Sequence, residues 1–295
     1  MPNVLVRPMR EADVAAADRI SDESYHAVDV DQGLPPGLVP ERRTPAGSDS
    51  WRVRARHLLA TDPAGCWVAE SDGEVVGFAS SLRRELMWIL ASFAVRRDVQ
   101  GSGIGGALLE AAMEHGRGCL RGMLSASADP RALRRYRLAG FDLHPMMLLH
   151  GTVDRAALPV VRHVREGGAD DFALMDSVDR SARGAAHGPD HPVLASLFRL
   201  VVVDRPGSSG YAYVGADGSP ALLAATDRRT AASLLWECLA SSAPGSPVTV
   251  EHVTPANQWA VDVGLAARLS LHQLGFLGLR RHRPPAPYLH HGSLL

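Results

Sequence analysis

Residues 95–111 read VRRDVQGSGIGGALLEA, and the glycines inside this stretch decide how the sequence is interpreted. Gly101, Gly103, Gly105 and Gly106 fall within six positions, and an apolar helical pattern follows directly. Glycine is used where the backbone must turn sharply or approach another group closely. The first turn of a helix also presents N–H groups without intrahelical partners, together with a partial positive charge. The stretch predicts a strand-to-helix turn, either binding phosphate through its main chain or serving only as a tight turn.

The sequence GSGIGG also matches the dinucleotide fingerprint G-x-G-x-x-G. That fingerprint belongs at the first strand-to-helix turn of a domain, with an acidic residue about 20 positions later at the end of the second strand. Here at least four predicted strands precede the glycines, and the next predicted strand, RGMLSA, has no acidic residue at its end. A nicotinamide site is therefore the weaker interpretation.

Charge and composition exclude several classes of protein. The 31 basic residues are all arginine and stand against 32 acidic residues, which gives a net charge of −1. Without lysine the chain can form neither a Walker A phosphate loop nor a pyridoxal-phosphate Schiff base. The balanced charge predicts no nucleic-acid partner.

Cysteine use and hydropathy predict a cytoplasmic protein. Cys66, Cys119 and Cys238 are odd in number and far apart, which predicts reduced thiols without a disulfide framework. No signal-peptide pattern opens the sequence, and no apolar run reaches the ~20 residues that span a bilayer. The adjacent His290 and His291 have no further ligand at metal-binding spacing, so we expect no metal.

Three pairs of similar segments occur in the same order in the two halves of the chain. VRPMRE at 6–11 resembles VRHVRE at 161–166, and ALLEAAM at 107–113 resembles SLLWECL at 233–239. ALRRYRLAGF at 132–141 resembles ARLSLHQLGF at 267–276. This order predicts two copies of one domain, residues 1–152 and 160–295.

In the first copy the pattern predicts a strand, helices, a strand meander, and then helix, strand, helix and strand. Residues 27–49 are rich in Pro, Gly and Asp and predict a long loop. The apolar run at 86–95 predicts a strand covered on both faces. Asp129, Pro130 and Gly140 predict the cap, first turn and end of a later helix that carries Tyr136.

The segment Q-x-x-G-x-G formed by Gln100, Gly103 and Gly105, the apolar strand before it and the later ALRRYRLAGF resemble the GNAT family of N-acetyltransferases. The resemblance implies a mixed α/β fold: two GNAT-like domains, each with a central mixed, mostly antiparallel twisted sheet flanked by helices. In the second copy TDRRTAA (226–232) aligns with the glycine loop, and Leu271 aligns with Tyr136. The second copy is therefore expected to be degenerate.

The resemblance also implies that acetyl-CoA is the co-substrate. In the family the loop and the helix after it hold the pyrophosphate, while the pantetheine arm enters a gap between two parallel strands. These strands would end at 93–95 and 123–125. The residues implied to bind acetyl-CoA are Phe93, Ala94, Val95, Gln100, Gly101, Ser102, Gly103, Ile104, Gly105 and Gly106.

The implied reaction is direct attack of an amine on the thioester, with both substrates bound together. Tyr136 matches the family's tyrosine that protonates the departing thiolate. Many members carry a glutamate within the strand before the glycines, but residues 86–95 contain no ionisable group. Glu85, at the start of this strand, is the candidate base, with Glu23, His144 or a water chain as alternatives.

The sequence does not identify the acceptor beyond an amine of a small molecule or peptide. Acidic residues in the 27–49 segment, Asp31 among them, are candidates for recognising a cationic amine. The alternative function is a non-catalytic acyl-CoA sensor. We expect a monomer or a homodimer.

Overall fold

A computed structural model describes residues 4–295 of the chain. The chain divides into two compact units, of which the first ends at Phe141 and the second comprises Asp142–Leu295. Both units are mixed α/β, with mostly antiparallel strands flanked by helices, which confirms the predicted fold class.

The first unit alternates a strand meander with helices. Its elements in chain order are β1 (Val4–Pro8), α1 (Val14–Gln32), α2 (Pro45–Thr61), β2 (Cys66–Ser71), β3 (Glu74–Arg84), β4 (Met87–Val95), α3 (Ile104–Glu114), β5 (Arg121–Ala126) and α4 (Pro130–Leu138).

The strands of this unit follow the spatial order β1-β2-β3-β4-β5. Neighbours are antiparallel except β4 and β5, which run parallel. Helices α1 and α3 both pack against β3 and β4. Residues 87–90 are consecutive and all buried, so both faces of β4 are covered, as the apolar pattern predicted.

The loop predicted over 27–49 is shorter in the structure, because helices occupy both of its ends. Helix α1 continues to Gln32 and ends at Gly33, whose φ is +74°. Helix α2 begins at Pro45, and the Thr44 side chain accepts a hydrogen bond from the Gly47 N–H. Threonine as cap followed by proline is a helix-start signal that outweighs the turn-rich composition around it.

The second unit contains two sets of strands and its own helices. Its elements are β6 (Asp142–Thr152), β7 (Arg165–Glu166), α5 (Phe172–Ala182), α6 (Asp190–Leu197), β8 (Arg199–Arg205), β9 (Ser208–Val214), β10 (Pro220–Ala225), α7 (Arg228–Ala240), β11 (Pro247–Val253), α8 (Gln258–Ala266), β12 (Ser270–Arg280) and β13 (Tyr288–Leu289).

Strand β6 lies between β12 and β11 and is antiparallel to both. The other set follows the order β13-β10-β9-β8-β7, also antiparallel. Helices α7 and α8 pack against each other, and their residues Leu234, Leu235 and Val263 are part of the buried core of this unit. Because β6 pairs with β11 and β12, it belongs to the compact unit 142–295. The domain limits 1–152 and 160–295 stay a prediction.

The first of the three sequence matches corresponds to a repeated ion-pair motif. In the first unit both terminal nitrogens of Arg7 donate to Asp13, which also accepts the main-chain N–H of Arg10. In the second unit Arg165 donates in the same way to Asp171, which accepts the N–H of Gly168. Each motif joins a strand to the helix that follows it. In the structure the counterpart of Arg7 is Arg165. The sequence match had instead aligned Arg7 with the arginine three residues earlier.

The third sequence match is wrong. Residues 267–276 run into strand β12, whereas residues 132–138 belong to helix α4. Helix α8 is the counterpart of α4, because each ends four residues before a strand begins. When α8 and α4 are aligned at their C-terminal ends, Gly264 lies opposite Tyr136. The second unit therefore has no tyrosine hydroxyl at this position, whether it is aligned by the sequence match or by the helices.

Among the described residues, no helix combines the length and the apolar character that a bilayer span requires.

The repeated motif generates the first prediction. Asp13→Asn and Asp171→Asn each keep the volume but remove a carboxylate that accepts charged hydrogen bonds, so each should lower the free energy of unfolding by about 1–3 kcal/mol at pH 7. Hydrogen bonding to Arg7 and Arg165 lowers the pKa of Asp13 and Asp171. This stabilisation is therefore present above the unfolded-state pKa and is lost as pH falls through the lowered folded-state pKa.

Urea unfolding of both variants at pH 7 and in acid tests this, with exposed Asp49→Asn as the control within about 0.5 kcal/mol of wild type. Variants no less stable than the control at pH 7, or a difference that persists in strong acid, would contradict it.

Candidate active site

A cavity of ≈ 350 Å³ lies in the first unit, where the carboxyl ends of β4 and β5 meet the glycine turn. Helix α1 borders it on one side and helix α4 on another. The residues that line it are Ser24, Tyr25, Ala27, Val28, Asp31, Phe93, Ala94, Val95, Arg97, Gln100, Gly101, Gly103, Gly105, Ser125, Ala126, Ser127, Asp129, Arg131, Ala132, Arg134, Arg135 and Tyr136.

The opening exists because β4 and β5 stop pairing part of the way along. Their parallel register runs from Met87 opposite Arg121 to Leu90 opposite Leu124 and is not continued beyond that pair. On its other side β4 remains paired with β3 up to Val95. Ala91 is the extra residue of a bulge in that pairing. A bulge bends its strand, so it separates the later part of β4 from β5.

The glycine turn lies at the mouth of this opening. Gly101 and Gly103 have φ angles of +84° and +92°, a region that other residues enter only with strain. Gly103 is the N-terminal cap of α3, and no side chain caps the helix there. The first N–H groups of α3 are therefore available to an external acceptor.

Two side chains fix the path of the turn. The Gln100 amide nitrogen donates to the Val95 carbonyl oxygen at 2.8 Å, which ties the turn to the end of β4. The Ser102 hydroxyl donates to the Val99 carbonyl oxygen at 2.6 Å. These side chains support the turn, and Gly101, Gly103 and Gly105 line the cavity.

Tyr136 enters the cavity from α4. Asp129 caps this helix and Pro130 opens it, as predicted. Tyr136 is only 5% exposed, and its ring meets Phe93 edge-on at 6.4 Å between centroids. Burial raises its pKa well above the usual value, so the hydroxyl is protonated at neutral pH.

Arg135 places an unpaired cationic donor beside the glycine turn. Its Nη1 atom is buried and has no hydrogen-bond partner in the described part of the chain. A Cβ built on Gly105 would lie 2.8 Å from this nitrogen, so the guanidinium lies directly against the first turn of α3. A buried donor of this kind is strongly stabilised by an anionic acceptor.

Both carboxylates that line the cavity are engaged by arginine. Asp31 pairs with Arg97 at 2.8 Å. Asp129 accepts from the Arg131 main chain at 2.8 Å and pairs with its guanidinium at 3.0 Å. Burial opposes ionisation of Asp129, but the hydrogen bonds outweigh burial and lower its pKa. A carboxylate with a lowered pKa is a poor proton acceptor.

The structure corrects the choice of Glu85 as base. Glu85 lies exposed in the turn between β3 and β4, at φ +52°. The cavity is at the other end of β4, which spans Met87–Val95, or roughly 30 Å at the usual rise per residue. Glu23 is exposed, lies 3.7 Å from Arg42 and does not line the cavity, and His144 lies in the second unit.

Most residues predicted to bind acetyl-CoA do line the cavity. Ser102, Ile104 and Gly106 are the exceptions, and Ile104 is buried in the core. Sequence reasoning did not find Tyr25, whose hydroxyl interacts with the Ser92 side chain and the Phe93 main chain. Arg135 was also not among the residues predicted to bind acetyl-CoA. Neither residue carries a local signal, because each is brought to the site by tertiary packing.

The equivalent turn of the second unit is built differently. Helix α7 is capped by Asp227, whose side chain accepts from the Thr230 main chain at 2.9 Å. Its first N–H groups are therefore partly satisfied by a negatively charged group. No glycine lies in residues 226–232, so this turn lacks the open main chain of 101–106.

A sheet opened between two parallel strands, with a glycine turn and a helix N-terminus at its mouth, is the arrangement that the resemblance to the GNAT family implied. The sequence model of the Acetyltransferase (GNAT) family matches residues 35–141. These residues are therefore similar in sequence to the GNAT acetyltransferase family, over roughly a third of the chain.

A segment of 96 residues is 35% identical to mycothiol acetyltransferase of Streptomyces coelicolor and covers 31% of each protein. The chain thus matches about a third of the length of this curated relative.

Solved structures resemble the chain over nearly its whole length. A putative acetyltransferase from Pyrococcus horikoshii matches with a TM-score of 0.74 and 16% identity, covering 99% of this chain and 95% of that one. A GCN5-related N-acetyltransferase from Kribbella flavida matches with a TM-score of 0.58 and 17% identity, covering 94% and 72%. At these identities the likeness shows that both units share the fold of such proteins.

The glycine turn generates the second prediction. Gly103→Val forces a branched residue into a left-handed conformation and moves the first N–H groups of α3. We expect acetyl-CoA affinity, measured by calorimetry, to fall at least about tenfold. Exposed Gly118, at φ +87° near the other end of α3, provides the matched control.

Gly118→Val should lose similar stability, about 1–2 kcal/mol, but retain wild-type affinity. Equal affinity losses in the two variants would mean that the turn has no special part in binding.

Proposed function

We propose that the first unit transfers the acetyl group of acetyl-CoA to an amine of a small molecule or peptide, by direct attack in a ternary complex. The observation that carries this proposal is the cavity itself. It brings the free helix N-terminus of α3, the unpaired end of β4 and the phenol of Tyr136 into one space.

The glycine turn and Arg135 would hold the pyrophosphate. The main-chain N–H groups at the start of α3 supply donors and the positive end of the helix dipole. Arg135 supplies a full charge through the nitrogen that now lacks a partner. Main-chain N–H groups together with one arginine would therefore allow a chain without lysine to bind the doubly charged pyrophosphate.

The pantetheine arm would lie between the separated ends of β4 and β5. An extended chain carrying amide groups can pair with main-chain groups that have no strand partner. Phe93, Ala94 and Val95 line one side, beyond the last β4–β5 pair, and Ser125 and Ala126 line the other. A main-chain N–H near the end of β4 would donate to the thioester oxygen as its negative charge develops.

In the chemical step the acceptor nitrogen forms a C–N bond with the thioester carbon, and the C–S bond then breaks. Tyr136 would donate its proton to the departing thiolate, and it is protonated at neutral pH because burial raises its pKa. The proton lost by the attacking amine returns to the tyrosinate through solvent.

Deprotonation of the acceptor would occur without a dedicated carboxylate base. Residues 86–95 contain no ionisable group, and Asp31 and Asp129 are held in ion pairs. The free-amine fraction of the acceptor would then be the reactive species. Asp31, at the end of α1, remains a candidate for binding its cationic form.

The second candidate function is an acyl-CoA sensor that binds but does not turn over. The lack of an unpaired carboxylate in the cavity favours it. Acetyl transfer to a panel of amines, followed by release of free thiol, separates the two functions, because a sensor binds acetyl-CoA in calorimetry but releases no thiol beyond the uncatalysed rate.

Tyr136→Phe tests the proposed acid. We expect kcat to fall by about 10²–10⁴-fold, since the thiolate must leave without a proton donor. Acetyl-CoA affinity and the melting temperature should stay near the wild-type values, because the phenyl ring still packs against Phe93. Unchanged kcat would remove Tyr136 from the mechanism, and loss of binding would make its role structural.

The pH dependence of kcat/KM tests the absence of a protein base. We expect the rate to rise tenfold per pH unit below the pKa of the acceptor amine and to level off above it. An acceptor with a lower amine pKa should move the inflection down by the same amount. An inflection that stays fixed when the acceptor is changed would show that a group of the protein accepts the proton.

A further inference from the structure

The second unit contains a buried cluster of ionisable side chains that the proposed function does not use. Asp179 on α5, His187 in the segment after it and His191 on α6 are all 0% exposed. One ligand atom from each of these three residues lies within 4.8 Å of the other two. Asp176, one helical turn before Asp179, reaches His191 from the same face of α5.

Each ring nitrogen of His187 faces an oxygen that accepts hydrogen bonds. Nε2 lies 3.1 Å from the Leu294 carbonyl oxygen, which can only accept, so Nε2 is the donor. In a neutral ring Nδ1 then has a lone pair, yet it lies 2.7 Å from a carboxylate oxygen of Asp179. Two acceptors cannot face each other at this distance, so either the ring carries a second proton on Nδ1 or a metal ion lies with the two groups.

His191 repeats this pattern. The Tyr213 hydroxyl donates to the His191 main-chain oxygen, so it accepts from Nδ1 of the ring at 3.2 Å. Nε2 therefore has the lone pair. It lies 3.2 Å from Asp176 Oδ1 and 3.4 Å from Asp179 Oδ2, yet it is buried and forms no hydrogen bond of acceptable geometry.

These two distances suit a shared metal ion better than a hydrogen bond. A hydrogen bond needs its acceptor in line with the ring N–H. Ligand atoms around a tetrahedral Zn²⁺ ion lie off that line and about 3.3–3.5 Å apart, given Zn–N and Zn–O bonds of about 2.0–2.2 Å. The 2.7 Å between His187 and Asp179 is shorter and would widen by about 0.6 Å on metal binding.

The groups around the cluster match the outer partners of a metal site. Metal-bound histidines usually donate their second ring nitrogen to a carbonyl or another acceptor, as both histidines do here. The ligand carboxylates are themselves held in place. The Tyr211 hydroxyl donates to Asp179, and the Gly188 N–H donates to Asp176 at 2.9 Å.

We propose that Asp179, His187 and His191 bind one divalent transition-metal ion with the preferences of Zn²⁺, and that Asp176, which lies beside His191, completes the site as the fourth ligand. The two carboxylates balance its charge, and four protein ligands leave no open position, which defines a structural site. The ion would fasten the end of α5 to the start of α6 beneath β9. The spacing D-x2-D-x7-H-x3-H is unlike the compact motifs by which sequence analysis recognises zinc sites, so no metal was expected.

Metal content provides the direct test. The full chain, produced without a polyhistidine tag, is dialysed against metal-free buffer and analysed by plasma mass spectrometry. We expect about one Zn²⁺ per chain. After metal removal, added Co²⁺ should give the visible absorption of a tetrahedral N/O site, and a chelator should lower the melting temperature of the holoprotein.

Two variants test whether these residues bind the metal. Asp176→Asn retains an acceptor for the Gly188 N–H, and His191→Gln retains a polar group at a buried position. Each should weaken Zn²⁺ affinity, measured against a chromophoric chelator, by at least about tenfold. The matched control is His163→Gln, which changes an exposed histidine of the same unit and should leave affinity and stoichiometry unchanged.

The proposal is overturned by chains that remain metal-free when folded in the presence of Zn²⁺. It is equally overturned by binding that neither Asp176→Asn nor His191→Gln weakens. A metal-free cluster would mean that protons on the two imidazoles balance Asp176 and Asp179. Because the test does not depend on acetyl transfer, its failure would leave the proposed function of the first unit untouched.

Discussion

The separation of β4 from β5 beyond Leu90 and Leu124 is the constraint on which the candidate site depends. Sheet strands normally satisfy one another's main-chain groups, so a gap in a buried sheet persists only where packing enforces it. Here the bulge at Ala91 bends β4, while the buried run 87–90 fixes its first half. The glycine turn then places a helix N-terminus at the open end. Side chains from α4, Tyr136 and Arg135, complete a space that neither strand could form alone.

The two units keep the same scaffold and differ where the main chain must be open. The paired motifs Arg7–Asp13 and Arg165–Asp171 are reproduced atom for atom in their hydrogen bonding. The turns before α3 and α7 are not. In α7 the Asp227 carboxylate occupies the position where an anionic ligand would otherwise bind. An acidic cap stabilises the helix and excludes a phosphate at the same time.

Local signals were predicted well from the sequence, and tertiary relations were not. The cap of α4 at Asp129, its end before Gly140 and the glycine turn all follow from short-range stereochemistry. The 27–49 loop was overpredicted because its composition concealed the helix start at Thr44. Glu85 was placed beside the active site on the analogy of a strand glutamate, although strand geometry puts it at the far end of β4. The position of Arg135 against the glycine turn and the clustering of Asp179, His187 and His191 depend on tertiary packing, which the spacing of residues in the sequence does not encode.

The most direct test of the central claim compares acetyl-CoA with S-acetylpantetheine, which has the same thioester and arm but lacks the diphosphate and the adenosine 3′-phosphate attached to it. If the main chain of the glycine turn and Arg135 bind the pyrophosphate, calorimetry on the intact chain should show S-acetylpantetheine binding at least about 100-fold more weakly. Arg135→Gln should weaken acetyl-CoA binding and leave the weak binding of S-acetylpantetheine unchanged. Equal affinity for the two ligands would contradict the account.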